Sequence, residues 1–133
     1  MKKFTPLTWL IFVTGLYYTF IGLALLFAPE WFFAHIGPFP PFNRHYMGDL
    51  GTFILPMGIG LLLVTKNPAG HRLFLGVVAA ANVGHALNHL YDDRAEPLSH
   101  WLSDTLPLLF FGLIFLYALW QDKQTASPTR SND

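Results

Sequence analysis

Residues 7–28 read LTWLIFVTGLYYTFIGLALLFA, an apolar run without a single charged side chain. An α-helix needs about 20 such residues to cross a bilayer, because the hydrocarbon core offers no water to unpaired backbone groups. The run follows Met1-Lys2-Lys3 and so has the outward look of a signal peptide. It is longer than the usual apolar core of one, and no Ala-x-Ala site closes it. It reads as a retained first span, ended by Pro29-Glu30.

Working outward, three further stretches meet the same requirement. The second span runs from about Arg44 to Val64 and stops before Lys66-Asn67-Pro68. The third runs from about Arg72 to Tyr91, ending at Asp92-Asp93-Arg94, and the fourth from about Ser99 to Trp120, ending at Gln121-Asp122-Lys123. The expected fold is all-α, an integral membrane four-helix bundle over residues 1–123. A polar, disordered cytoplasmic tail is expected over 124–133. Between the first two spans, Ile36-Gly37-Pro38-Phe39-Pro40-Pro41-Phe42 is too rich in proline for a helix. With Trp31, Phe32 and Phe33 before it, this stretch reads as an aromatic segment at the membrane interface.

Composition agrees. The 133 residues are 53% hydrophobic and only 12% charged, with a mean hydropathy of +0.39. An ordinary soluble domain is about 25% charged. The formal net charge is zero, so no basic surface points to nucleic acid. There is no cysteine, which excludes disulfides, thiolate metal sites, iron–sulfur clusters and thiol chemistry together. No phosphate-cradling glycine loop or dinucleotide fingerprint is present.

The cations set a direction. Lys2, Lys3, Lys66, Arg72, Lys123 and Arg130 fall on one side of the four spans, and Arg44 and Arg94 on the other. The positive-inside rule then puts both termini in the cytoplasm. Helix contacts are expected where small residues recur: at Gly76, Ala80 and Gly84 in the third span, and less regularly at Gly48, Gly51, Gly58 and Gly60 in the second. Pro56 and Pro107 are expected to bend their helices.

Ionisable residues inside spans are costly and tend to be functional. Here they come in three pairs four residues apart: His45 with Asp49, His85 with His89, and His100 with Asp104. Each pair shares a helix face. With the orientation above, all three lie within the outer turns of their helices. Asn82, His85, His89 and Asp92 form one arc, and His45, Asp49, Thr52 and Pro56 another. His100, Asp104 and Pro107 form a third, and all three arcs are expected to face the bundle interior. His35 and His71 lie in loops.

Imidazole with carboxylate suits Zn, Fe, Mn or Cu. The expected ligand set is His85, His89, Asp49 and Asp104, with His45 and His100 as acid–base groups or further ligands. Such a site would act on a lipid or other hydrophobic small molecule entering from the bilayer. Two alternatives stay open: a non-catalytic accessory or scaffold subunit, alone, as a homo-oligomer or with a membrane partner, and a haem protein with bis-His ligation. A conduction path fits poorly, because nothing ionisable continues through the inner halves of the spans. Ser99 or Ser103 with His100 and Asp104 makes poor triad geometry, since adjacent residues on one helix face different ways.

The segment Asn43-Arg44-His45-Tyr46-Met47-Gly48-Asp49-Leu50-Gly51, followed by a glycine-rich apolar helix and a His-rich third one, resembles the small DoxX-like four-span membrane proteins of bacteria. The resemblance covers about Phe42 to Asp104. It implies the four-helix fold and inner-membrane placement, and no particular reaction.

Overall fold

The computed structural model describes residues 5–92, 94, 98 and 101–125, with the backbone alone at 103, 104, 107 and 122–125. The described residues are helical throughout, with short connections and no strand. Five α-helices form: α1 (Pro6–Phe27), α2 (Pro29–His35), α3 (Arg44–Val64), α4 (Arg72–Asp92) and α5 (Leu106–Thr125). A 3-10 turn, Pro68–His71, leads into α4, and a π-helical turn, Trp101–Thr105, leads into α5. Three helical stretches, Pro6–Phe27, Arg44–Val64 and Pro68–Asp92, are long and apolar enough to cross a membrane. In none of them is more than 33% of the most apolar part buried, which is how lipid-facing helices look when no lipid is present. On α1 the exposed stripe is Trp9, Val13, Leu16, Phe20, Leu23 and Phe27, one apolar residue per turn.

The chain divides into two compact units, one of Thr8–Asn67 and one from Pro68 onward with the start of α1. In the first, α1 and α3 run antiparallel at glycine-limited distance. Gly15 lies against Leu62, Thr19 against Gly58, Gly22 against Leu55, and Leu26 against Gly51, so the numbering falls on α3 as fast as it rises on α1. A Cβ added at Gly22 would sit 2.6 Å from the Leu55 backbone, and one at Gly51 would sit 2.8 Å from the Leu26 side chain. At Gly58 it would collide with the backbone of Thr19. The glycines are seven apart on each helix, the spacing of a continuous left-handed seam.

The ends of these helices follow from local chemistry. α1 stops at Ala28, whose φ of −140° and ψ of 52° are non-helical, because a residue preceding proline is driven out of the α region. Pro29 then opens α2, where its missing N–H costs nothing. Phe32 of α2 joins Ile21, Ala24, Leu25 and Met47 in a buried cluster. The Asn43 side chain caps α3 by accepting from the Tyr46 N–H at 3.1 Å. Arg44 donates to the Leu26 carbonyl at 3.2 Å, tying the start of α3 to the end of α1.

In the second unit α4 and α5 form an antiparallel hairpin. Leu75, Val78, Ala79, Asn82 and Ala86 are the buried face of α4. Thr105, Phe115 and Leu119 are buried at the start of and along α5. A Cβ at Gly112 would come within 2.9 Å of the Val83 side chain, and the Arg72 guanidinium donates to the Leu119 carbonyl at 2.5 Å.

Several expectations are corrected. The seam expected at Gly76, Ala80 and Gly84 is not where α4 meets α5: among the described residues of this unit a Cβ at Gly76 or Gly84 would meet nothing within 4 Å. At 100° per residue those positions lie about 150° around α4 from its buried face. Of the second-span glycines, Gly51 and Gly58 do lie in close contact, against Gly22, Leu26 and Thr19 of α1, and Gly15 and Gly22 of α1 complete that seam against Leu62 and Leu55. His35, expected in a loop, ends the helix α2, His71 closes the 3-10 turn, and α5 extends to Thr125, beyond the expected start of a disordered tail. The rest of that tail, from 126, lies outside the described residues.

Candidate functional site

Two of the three spaced pairs are in contact. On α4 the His85 and His89 rings lie 4.9 Å apart, centroid to centroid, and their Nε2 atoms are 3.1 Å apart. As they stand, one Nε2–H donates to the other Nε2, so the two imidazoles take opposite tautomers across the contact. On α3 the His45 Nε2 lies 3.3 Å from Asp49 Oδ2. The third pair is not described: His100 lies outside the described residues, and of Asp104 only the backbone is placed, within the π-helical turn.

The three polar arcs differ in their surroundings. The α4 arc straddles the hairpin seam, with Asn82 buried, His89 half-buried, and His85 and Asp92 exposed. Asn82 donates to its own helix at the Val78 carbonyl, 2.8 Å away. Asp92 accepts from Asn88 at 2.9 Å rather than from His89. The α3 arc is the correction. His45 and Asp49 keep 88% and 60% of their side-chain surface exposed, and Thr52 and Pro56 are exposed as well. α3 turns Met47, Gly51, Ile54, Gly58 and Leu61 toward its packed side, and the arc lies about 170° around the helix from them. The need for close α1–α3 approach at the glycines fixes that rotation and turns the polar arc away from α1.

The π-helical turn packs against α4. Its cause is visible in the sequence: Pro107 has no N–H to give the residue 103 carbonyl and its ring crowds that carbonyl, which favours a wider turn there. The seam places it. Gly112 is level with Asn82, and seven residues toward the turn on each helix bring Thr105 level with His89. Asp104 therefore occupies the turn beside the His pair's level. Thr105 is 1% exposed, a buried hydroxyl that sequence reasoning missed. Its position four before Leu109 and seven before Gly112 was the available signal. Among the described residues no three His, Asp or Glu side chains gather in a way that could hold one ion.

Comparison with protein-family models, curated proteins and solved structures returns no match.

Proposed function

We propose that the chain is a four-span protein of a bacterial inner membrane, with cytoplasmic termini and a metal site built on the His85–His89 pair near the outer face. The observation that carries this reading is the 3.1 Å between the two Nε2 atoms. Two nitrogens bound at 2.0–2.1 Å to one ion and 3.1 Å apart subtend about 100° at it, between the octahedral and tetrahedral angles. The pair can therefore chelate Zn, Fe, Mn or Cu once both rings turn their Nε2 lone pairs to the ion. Asp104 is the proposed carboxylate ligand, with His100 as an acid–base group, while Asp49 and His45 stay paired on the exposed α3 arc. An open coordination position would activate water or oxygen toward a lipid or other hydrophobic small molecule. Leu98, Leu102 and Leu106, exposed around the π-helical turn, suit such a substrate. The turn and α5 together are the fourth span in this reading, and the Lys and Arg distribution supports its orientation.

One observation favours the competing reading, a non-catalytic scaffold or accessory subunit: each described pair makes its ring or ion-pair contact within its own helix. Haem is the weaker alternative. It would take one axial His from α4 and one from another span, and it leaves the carboxylates Asp49 and Asp104 without a role.

The test is elemental analysis after chelator-free purification. The proposal expects about one equivalent of a transition metal, lost in the His85→Ala/His89→Ala double variant while the helical circular dichroism is kept. A metal-free wild type would sink it. If that metal-free protein also loses stability in the double variant, the scaffold reading stands, and a Soret band would move the assignment to haem.

A further inference from the structure

We infer that the segment from Phe27 to Phe42, centred on α2, is a platform without Lys or Arg that lies in the headgroup–acyl boundary of the bilayer and binds lipid through its exposed apolar side chains. The inference rests on α1 and α3 crossing the membrane and is independent of any metal.

Topology comes first. α1 and α3 are antiparallel, so the end of α1 and the start of α3 lie at the same membrane face. The segment joining them must stay there, because the seven residues of α2 span only about 10 Å and cannot enter and return as a crossing helix.

The segment is then held in a fixed attitude. Phe32 is buried against α1 and α3, and it receives Gly37 closely enough that a Cβ there would lie 3.0 Å from its ring. Gly37 and Ile36 both donate their N–H to the Phe32 carbonyl, at 3.1 and 2.8 Å. Phe33 packs edge-on to Phe42 at 5.3 Å, fastening the far end of the loop to α2. Trp31 stacks on His35 at 5.4 Å and meets Phe20 of α1 edge-on at 6.3 Å.

Beyond these contacts Phe27, Trp31, Ile36, Phe39 and Phe42 all keep exposed surface, with Phe39 at 59%. The Trp31 indole, apolar with a polar N–H edge, suits the interface, and the Phe and Ile side chains add apolar area beside it. Between Lys3 and Arg44 the only formal charge is Glu30. Anionic headgroups attract basic segments, and this one has none to offer, so its lipid contact comes from apolar area alone.

The absence of cysteine makes the test direct. Single-cysteine variants Phe39→Cys and Ala34→Cys, spin-labelled in vesicles, are compared with Leu16→Cys on the exposed stripe of α1 and Ala69→Cys in the turn before α4. Collisions with oxygen and with a water-soluble nickel chelate give the depth of each label. The expected result places positions 39 and 34 between position 16, deep in lipid, and position 69, in water. Their depth should not change between vesicles of phosphatidylcholine alone and vesicles containing phosphatidylglycerol. Free access of the nickel chelate to 39 and 34 would overturn the inference, as would exclusion of both reagents, which means a protein partner covers these side chains. A shift with anionic lipid would overturn the claim of charge-independent binding. Water access at position 16 would instead remove the spanning of α1 on which everything here depends.

Discussion

Adding one methyl group at Gly22 distinguishes a working helix seam from a decorative one. In Gly22→Ala the new Cβ falls 2.6 Å from the Cα and N of Leu55, against an ordinary contact of about 3.4 Å or more. The obstructing atoms are backbone, so no rotamer change relieves them. α1 and α3 must separate by roughly 1 Å, and the contacts of Gly15 with Leu62 and of Gly51 with Leu25 and Leu26 loosen with them. Overpacking of this kind costs about 1–3 kcal/mol. The intrinsic helix preference of alanine over glycine returns up to ~1 kcal/mol, so a net loss of roughly 1–2 kcal/mol is expected. Gly84→Ala is the matched control. Its Cβ meets nothing within 4 Å, so the propensity gain stands alone and the variant should be unchanged or slightly more stable. The assay is reversible unfolding in mixed detergent micelles followed by circular dichroism. In the double variant Gly22→Ala/Gly58→Ala, the second substitution should cost less than the first, because the helices have already parted. If Gly84→Ala proves as damaging as Gly22→Ala, the seam has been assigned to the wrong helices.

Other outcomes follow from single contacts. Asn43→Ala removes the cap of α3 and should cost about 1 kcal/mol in the same unfolding assay, with Asn43→Asp recovering most of it. Arg72→Met deletes the charged donor to the Leu119 carbonyl, and a loss of about 1.5–3 kcal/mol is expected. By contrast, Asp49→Asn in metal-free protein should change stability by less than ~1 kcal/mol, because the His45–Asp49 pair is exposed. A larger loss there would show that the α3 polar arc is covered by another molecule.

The long helices were legible because an uncharged apolar run of sufficient length admits no other structure in hydrocarbon. The starts of α3 and α4 fall at Arg44 and Arg72, where the charge and proline pattern put them. Which face of each helix packs was not legible. In a membrane the outside of a helix is as apolar as its core, so hydropathy loses the inside–outside contrast it carries in water. Gly76-x3-Ala80-x3-Gly84 is the more regular small-residue pattern, yet the close approach occurs at Gly22 and Gly58. The same loss explains the polar arc of α3, whose residues share a face that turned out to be the exposed one. Spacing was sound where it concerned a single helix: His85 reaches His89 and His45 reaches Asp49, as four-residue separation requires. α2 was missed, although Pro29 at its first position and Glu30 in its first turn are ordinary signs of a helix start.

The proposal that α4 crosses the bilayer has a direct measurement. Ala69 and Arg94 are exposed positions before and after α4. Each is replaced singly by cysteine and treated with a membrane-impermeant maleimide, in intact spheroplasts and in inverted vesicles. The proposed orientation predicts labelling of position 94 from the outer side only and of position 69 from the cytoplasmic side only. Labelling of both from the same side would contradict it.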